Sequence, residues 1–524
     1  MGFLRNRLFA VLLLSTALNA AGITWGLPSM LGWAADELTP VRVLSGMRQG
    51  FARGWHDPYP AFHFYVLAAA YAPVLAIDSR PLADVASSET GWRRQSGDGP
   101  HFALFVAGRL LSLLMAVGTL VAIHRAGVEL FDRAAAAWAA LLMALSLPFV
   151  YYAKIANVDL PFTFWFSVAF VGYLRILREH RPRDYRLYAA AAVLAVCVKD
   201  QAYGLFVLPT VHVVLALLRR ERASGRSRLA ALLDRRLVTA GLVAAAVFLL
   251  AQGIVFNPSG FLAHLGLLTG PMNRDLQMFD HGPAGYLAML ALTARLLAFD
   301  LGLPAALAAV AGLALAWRRG ERRALLAITL PCVSYFVFFL CVALVAYDRY
   351  LMPLCACLSL AGGYFLSRAG DRPLVALRRV AAAAVLFVGL ARCLSVDLSL
   401  LRDSRYAAEA WMAANVPASA VVTVSGPLAH LPRLHGHAWT QRPSLRGTRT
   451  EYAVLTCDYA RETQSGEESP SARTARELGY DVAYRHRTRL PWPLDLGPWI
   501  RGLAAYTNLH KINPEVAVLR RREG

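Results

Sequence analysis

Acidic side chains lie just outside two separate apolar segments of this chain, and basic side chains lie at the ends of two others. Asp36 and Glu37 follow the first apolar run and Asp159 opens a later one, whereas Lys199 and Arg349 lie at the ends of two more. A carboxylate can take a proton from a hydroxyl, and a cation can hold a phosphate as its charge grows. These residue types could therefore move a phosphate-activated group, provided that the surrounding segments bring them to one face.

The composition indicates what kind of segments must position them. The chain has 524 residues, of which 57% are hydrophobic and 17% charged, and its mean hydropathy is +0.43. A composition this apolar is typical of a polytopic membrane protein. The net charge of +20 comes from 51 arginines and three lysines against 34 acids, and the arginines gather in short loops between apolar runs. That pattern marks membrane orientation rather than a basic surface, so no nucleic-acid partner is expected.

About eleven apolar runs are predicted to cross the membrane as helices. They are 8–27, 102–123, 134–153, 158–176, 187–198, 202–218, 237–256, 286–317, 324–346, 350–366 and 380–394. The first run is long enough to be an uncleaved membrane anchor rather than a cleaved signal peptide. The long run 286–317 is counted as one net crossing. With the N-terminus in the cytoplasm, the five short inner loops contain 22 lysines and arginines. The short outer loops contain only Lys154, Lys199, Arg274 and Arg349.

The long first outer loop, 32–101, contains an apolar stretch at 61–77 that does not fit this alternation. If that stretch crossed the membrane, every later arginine-rich loop would face outward. The sequence therefore predicts a helix that lies at the outer interface. The protein is expected to be a multi-pass protein of the cell (inner or plasma) membrane.

The composition becomes mixed and polar from about residue 399 to the end of the chain. A helical run at 405–415 is accompanied by short β-like runs at 420–424, 452–456, 482–484 and 516–519. The segment 461–472 is rich in Glu and Ser and is predicted to be a loop. Because an odd number of crossings places this tail outside, we expect a membrane domain at 1–398 and an extracytoplasmic α/β domain at 399–524.

The outer acids and cations also have structural interpretations that the sequence leaves open. Asp159 could cap the helix that follows it. Asp36 and Glu37 could serve merely to keep their loop in contact with water. Lys199 and Arg349 could be anchors at the membrane surface.

Four more polar residues belong to the predicted site. Arg109 lies about two turns inside its span, where a charge costs about 2.5–3.5 kcal/mol on insertion scales, so it needs a partner or a phosphate. His56 lies in the first outer loop, His281 in a later outer loop and Tyr347 beside Arg349. His281 could equally be part of the loop structure alone.

Several short motifs occur in the order found in GT-C glycosyltransferases. They are Asp36-Glu37 after the first span, Tyr59-Pro60 before an interfacial helix, Arg109-Leu110, Asn157-Val158-Asp159-Leu160-Pro161 and Arg349-Tyr350-Leu351-Met352-Pro353. With the outer C-terminal domain, this order resembles protein O-mannosyltransferases and the aminoarabinose transferase of lipid A. The family often has Pro-Pro after a Lys or His where this chain reads His56-Asp57-Pro58-Tyr59-Pro60.

The resemblance implies an all-α polytopic domain whose first-loop acid, matching Asp36, is the catalytic base. Asp159 matches a second acid that serves the site, and Glu37 is a further catalytic candidate. The other residues predicted to contact substrate are Arg109, Lys199, His281, Tyr347, Arg349 and His56.

The expected function is an inverting glycosyltransferase on the outer face of the membrane. The sequence has no nucleotide-binding loop, so the donor must arrive as a polyprenyl-phosphate sugar. One base opposite a leaving phosphate predicts single displacement rather than a covalent intermediate. A lipid, glycan or protein could be the acceptor, and assistance by a divalent metal ion stays open. A transporter or flippase of lipid-linked sugars is the alternative, although the paired repeats typical of transporters are not visible.

Overall fold

The computed structural model of the chain describes residues 2–29, 31–77, 99–270, 275–368, 372–434, 436–442, 445–456 and 470–522. These residues form two compact units. The first, here the helical unit, comprises Met1–Asn19, Gly46–Ala69 and Leu110–Cys393. The second, here the sheet unit, comprises Ala20–Ser45, Ala70–Arg109 and Leu394–Gly524, so it combines the C-terminal region with two segments of the N-terminal half.

Helices dominate the chain up to residue 415. They are α1 Gly2–Ala20, α2 Pro40–Arg48, α3 Phe62–Ile77, α4 Gly99–Leu130, α5 Arg133–Ala144, α6 Leu147–Tyr152, α7 Asp159–Glu179, α8 Pro182–Val198, α9 Tyr203–Ala223, α10 Arg228–Leu232, α11 Arg235–Ala251, α12 Pro258–Thr269, α13 Pro283–Leu301, α14 Leu303–Arg318, α15 Arg322–Tyr335, α16 Met352–Ser367, α17 Arg372–Leu401 and α18 Ser404–Asn415. Later come α19 Pro470–Glu477 and α20 Leu496–Ile500.

Seven helical segments among the described residues are long and apolar enough to cross a membrane. They are His101–Leu130, Asp159–Glu179, Asp200–Ala223, Pro283–Leu301, Arg322–Ala343, Asp348–Ser367 and Val375–Asn415. Shorter apolar helices are Arg7–Ala20, Phe62–Ile77, Arg133–Ala144 and Leu303–Arg318. The chain is thus a multi-pass membrane protein, as its composition indicated. The count of eleven crossings and the orientation of the termini stay predictions.

Several predicted crossings have different bounds in the structure, and for three of them a local backbone feature explains the difference. The first helix ends at Ala20 instead of reaching residue 27, because Gly22 adopts a φ of +74° that a helix does not allow. The run 134–153 forms two helices, since the second starts afresh with Pro148 in its first turn. The run 286–317 is also two helices, which meet at Gly302 with a φ of +82°. Hydropathy alone detects none of these breaks.

A five-stranded mixed sheet forms the C-terminal region. Its strands are β1 Val421–Ser425, β2 Ala438–Arg442, β3 Tyr452–Thr456, β4 Tyr480–His486 and β5 Val516–Arg521, in the order β2-β1-β3-β5-β4. β1 pairs in parallel with β2 and β3, and β5 pairs antiparallel with β3 and β4. The predicted small α/β domain is confirmed, and four of these strands overlap the predicted runs. β2 was missed because it is a largely exposed edge strand that reads Ala-Trp-Thr-Gln-Arg.

One hydrophobic cluster of this region lies between the sheet and α18. Val422 and Val424 of β1 are fully buried together with Val518 of β5, and Ala408 and Met412 of α18 pack against them. The predicted loop at 461–472 lies mostly outside the described residues, and its last residues belong to α19.

Candidate functional site

Asp159 is the first residue of α7 and its side chain is buried, with 1% of its surface exposed. The amide of Asn157 donates to Asp159 Oδ2 at 3.0 Å, and the Asp159 backbone N–H donates to Asn157 Oδ1 at 3.2 Å. The prediction that Asp159 caps the helix is wrong, because Val158 occupies the N-cap position and the side chain that accepts from the first helical N–H is that of Asn157. The carboxylate is therefore directed to other partners.

Two cations meet this carboxylate inside the helical unit. Lys199 Nζ donates to Asp159 Oδ1, and Arg349 Nε lies 3.8 Å from Asp159 Oδ2. Lys199 caps the C-terminus of α8 in an extended conformation, and Arg349 lies in a 3₁₀ turn that precedes α16. Both side chains are buried. We call these three residues the Asp159 cluster.

Aromatic rings hold the two cations in place. Lys199 Nζ lies 4.0 Å from the centre of the Tyr350 ring, and the Arg349 guanidinium lies 5.3 Å from the same ring and 4.8 Å from that of Tyr347. Asp348 is fully buried and its Oδ1 accepts a hydrogen bond from the Arg349 backbone N–H at 2.7 Å. Cations packed on rings and carboxylates in this way differ from anchors that extend toward water.

The arrangement has the donors that a phosphate needs. Lysine offers three N–H donors and arginine five in a planar fork, so each of these side chains can bind more than one acceptor. Removing Asp159 would take away a charge that both buried cations share. The Asp159 cluster therefore brings two cations to one carboxylate.

A histidine that the sequence analysis missed ties the first outer loop to this region. His264 Nδ1 lies 3.0 Å from the carbonyl oxygen of Asp57, and its Nε2 lies 3.2 Å from both carboxylate oxygens of Asp200, the neighbour of Lys199. Burial acts to lower the pKa of His264, but the hydrogen bond and charge of Asp200 outweigh it, and the pKa is raised above 6.5. His264 lies in α12, and Asn257 is the N-cap residue of the same helix.

Asn257 completes the docking of this loop. Its Oδ1 accepts a hydrogen bond from the Gly54 N–H at 2.9 Å, and its Nδ2 donates to the Trp55 carbonyl oxygen at 2.7 Å. The predicted site residue His56 lies next to them, exposed, with Nδ1 3.0 Å from the Gly54 carbonyl oxygen.

The predicted site residue His281 contacts an aromatic neighbour in the chain. It is exposed before α13, and its ring packs edge-on against Tyr286 with 6.3 Å between the ring centres. Among the residues that the structure describes, no three His, Cys, Asp or Glu side chains are grouped as a metal site requires.

Glu37 and Arg109 form a buried pair within the sheet unit. Arg109 donates from Nε to Glu37 Oε1 at 2.7 Å and from Nη2 to Oε2 at 2.8 Å. Its Nη1 donates to the carbonyl oxygens of Ile23 and Trp25, at 2.7 and 2.9 Å. Both charged side chains are inaccessible to solvent. This bidentate pair supplies the partner that a buried Arg109 was expected to need. Each of the two charges is compensated by the other, so neither requires a substrate.

Asp36 faces the other way from Glu37. Its backbone has a φ of +60°, a left-handed conformation that Asp tolerates better than most residues. The side chain is exposed between the buried residues Ala35 and Glu37. Its Oδ2 accepts a hydrogen bond from Asn508 Nδ2 at 3.0 Å. Of the acidic pair, Asp36 is thus the carboxylate that solvent reaches.

Comparisons with known proteins agree with the resemblance seen in the motifs. Residues 103–249, a stretch that includes Arg109, Asp159 and Lys199, match the family model described as dolichyl-phosphate-mannose-protein mannosyltransferase. No curated protein sequence matches the chain.

Solved structures of two other proteins, one of them in two states, are similar to this chain. ArnT from Cupriavidus metallidurans in the apo state is 16% identical over 97% of both chains, with a TM-score of 0.47. The same protein bound to undecaprenyl phosphate is 16% identical over 98% of this chain and 97% of that one, with a TM-score of 0.49. The Archaeoglobus fulgidus oligosaccharyltransferase in complex with Zn and sulfate is 14% identical over 91% of this chain and 72% of that one, with a TM-score of 0.47.

Proposed function

We propose that this chain is an inverting glycosyltransferase of the GT-C type that moves a sugar from a polyprenyl-phosphate carrier to a lipid, glycan or protein acceptor. The Asp159 cluster is the observation that carries the proposal, because Lys199 and Arg349 are buried together where a single phosphate could bind both. The matched family model, described by transfer from dolichyl phosphate, supports the same class of donor.

The role of the two cations follows from how charge moves in the reaction. When the bond between the anomeric carbon and the phosphate oxygen breaks, negative charge grows on the departing polyprenyl phosphate. Lys199 and Arg349 then bind the phosphate more strongly than in the ground state, which lowers the barrier. Asp159 keeps both cations in position before the donor arrives, so little reorganisation is needed during the step.

Asp36 is the proposed base, since its carboxylate is exposed whereas that of Glu37 is taken up by Arg109. It accepts the proton of the acceptor hydroxyl while that oxygen bonds to the anomeric carbon from the side opposite the phosphate. One bond forms, one breaks, and polyprenyl phosphate leaves with the bonding electrons. A single displacement of this kind inverts the configuration at the anomeric carbon.

A transporter of lipid-linked sugars would place the same residues around its cargo, and one experiment separates the two functions. The protein is reconstituted in vesicles with polyprenyl-phosphate sugar labelled in the sugar, and membranes of the source cell supply acceptors. Label that moves to an acceptor, with release of polyprenyl phosphate and inversion seen by NMR of the product, supports transfer. Label that stays on the lipid but reaches the other leaflet would support a flippase and overturn the proposal.

A further inference from the structure

Asn508 of the C-terminal region contacts the proposed base. Its Nδ2 donates to Asp36 Oδ2 at 3.0 Å, although the two residues are 472 positions apart in the sequence. Asn508 is buried, with 3% of its surface exposed, whereas Asp36 is exposed. Both residues belong to the sheet unit. A buried amide therefore holds one oxygen of an exposed carboxylate.

Lys511 fixes which way the Asn508 amide points. Lys511 Nζ donates to Asn508 Oδ1 at 3.0 Å. An ammonium group can only donate and an ionised carboxylate can only accept, so the amide oxygen must face Lys511 and the amide nitrogen must face Asp36. Turning the amide over would break both hydrogen bonds at once. The hydrogen-bonding roles of Lys511 and Asp36 therefore determine the orientation of the Asn508 amide.

The backbone that carries Asn508 is also held firmly. Asn508 opens a 3₁₀ turn, Asn508–Lys511, whose N-cap Thr507 accepts a hydrogen bond from the Leu509 N–H at 3.1 Å. Leu509 is fully buried. Two residues beyond the turn, Asn513 Nδ2 donates to the Thr488 carbonyl oxygen at 2.7 Å. The C-terminal region thus presents Asn508 on a rigid element.

We propose that Asn508, oriented by Lys511, is a positioning residue for Asp36 that binds Oδ2 and thereby sets the rotation of the carboxylate that accepts the proton of the acceptor. The inference rests on the proposed function, in which Asp36 is the base. A donor bonded to the carboxylate, backed by the Lys511 charge, also favours the ionised form that a base requires. The C-terminal region would then take part in the reaction step as well as in the fold.

Two titratable residues beside this contact have partners of their own. Glu37, the chain neighbour of Asp36, is neutralised by Arg109, and His510 Nδ1 lies 2.5 Å from the Thr507 carbonyl oxygen. Lys511 acts on Asp36 through the Asn508 amide.

The test compares kcat and its pH dependence in the purified full-length protein. Asn508→Leu keeps the branched shape and the number of side-chain heavy atoms but removes the donor, and we expect a loss of roughly tenfold or more in kcat, the scale of one hydrogen bond to a charged group. The acidic limb of the kcat profile should move to higher pH, because the ionised base is less stabilised. The KM for the donor should stay unchanged. Lys511→Met should produce the same changes to a smaller extent.

Asn415→Leu is the matched control, since the Asn415 amide donates to the Trp411 carbonyl oxygen at the end of α18. A merely structural role for Asn508 predicts lower activity or a lower unfolding temperature with an unmoved pH profile, and that outcome would overturn the inference. If Asn508→Leu does not fold, the inference is tested by the shift of the kcat–pH profile in Lys511→Met. Asp36→Asn is measured alongside. Full turnover in Asp36→Asn would show that Asp36 is not the base, and the proposed function would fail with it. If Asp36→Asn is inactive but the pH profile of Asn508→Leu is unshifted, only the role of Asn508 is refuted.

Discussion

Lys199 donates a hydrogen bond to one oxygen of Asp159, and the other oxygen of the same carboxylate lies 3.8 Å from Nε of Arg349. One buried acid thereby fixes two cations that come from different helix ends. If either cation were lost, the carboxylate would keep the other cation and the Asn157 amide but lose part of its charge compensation in a site with little access to water. The pair of cations is consequently the feature that substitution can test most cleanly.

Lys199→Met and Arg349→Met are expected to slow transfer even when the donor is saturating. Negative charge on the phosphate increases as the sugar leaves, so a missing cation costs more in the transition state than in the bound donor. Donor binding should weaken as well, while the KM for the acceptor changes little. Steady-state kinetics with both substrates varied would measure this, and Lys199→Arg should recover part of the rate.

Arg178→Met provides the control for those variants. Arg178 is exposed and pairs with Glu129 at 2.9 Å, outside the candidate site, so its loss should leave turnover unchanged. If Lys199→Met and Arg349→Met both keep full turnover and donor affinity, the two cations are anchors and the phosphate binds elsewhere.

Glu37→Gln is expected to reduce stability more than it affects chemistry. The substitution leaves the Arg109 guanidinium buried beside a neutral amide, and breaking a buried pair by removing one partner costs about 3–5 kcal/mol. The unfolding temperature in detergent should fall clearly, whereas that of Asp36→Asn should stay near the wild type. Glu37→Gln combined with Arg109→Met should regain part of the loss. An unchanged unfolding temperature in Glu37→Gln would mean that the pair does not support the fold.

The docking of the first outer loop by His264 should weaken as the pH rises. The pKa of His264 is raised in the folded protein, so its ion pair with Asp200 stabilises the fold fully below the ordinary value of 6.5. That contribution is lost as the pH rises through the higher folded-state pKa. Unfolding temperatures measured between about pH 6 and pH 9 should decline more for the wild type than for His264→Gln. Parallel curves would show that the histidine does not titrate in this way.

The apolar helix Phe62–Ile77 is predicted to remain on the outer side of the membrane. Crossing would invert five arginine-rich loops, which the distribution of positive charge opposes. In a cysteine-free background, an impermeant thiol reagent should therefore label both Ser45→Cys and Ser88→Cys from outside. Ser88 itself lies outside the described residues. Labelling of one position and not the other would refute the topology.

Much of the fold could be predicted because membrane helices and strands can be recognised from apolar runs and β-like runs in the sequence. The strand Tyr452–Thr456 matches the predicted run, and α18 begins one residue before it was expected. The breaks before Pro148 and at Gly302 escaped prediction, since hydropathy averages over a window and does not register a single backbone angle.

The site was predictable by residue type but not by partner. Alternation of inner and outer loops selected Asp159, Lys199 and Arg349 together, because all three border the same side of the membrane in that topology. No local pattern, however, pairs Glu37 with Arg109 or Asn508 with Asp36, since those contacts depend on how distant segments pack. His264 was overlooked for the same reason.

The most direct test of the account is the rate of sugar transfer by purified Asp36→Asn. The amide keeps the size of the side chain but cannot take the acceptor proton, so we expect normal insertion and stability with a loss of at least ~100-fold in transfer from polyprenyl-phosphate sugar, the low end for removal of a general base. Donor binding, measured separately, should be retained. Near-normal transfer by a well-folded Asp36→Asn protein would contradict the account and would move the base to another acid, with Glu37 and Asp159 the next to test.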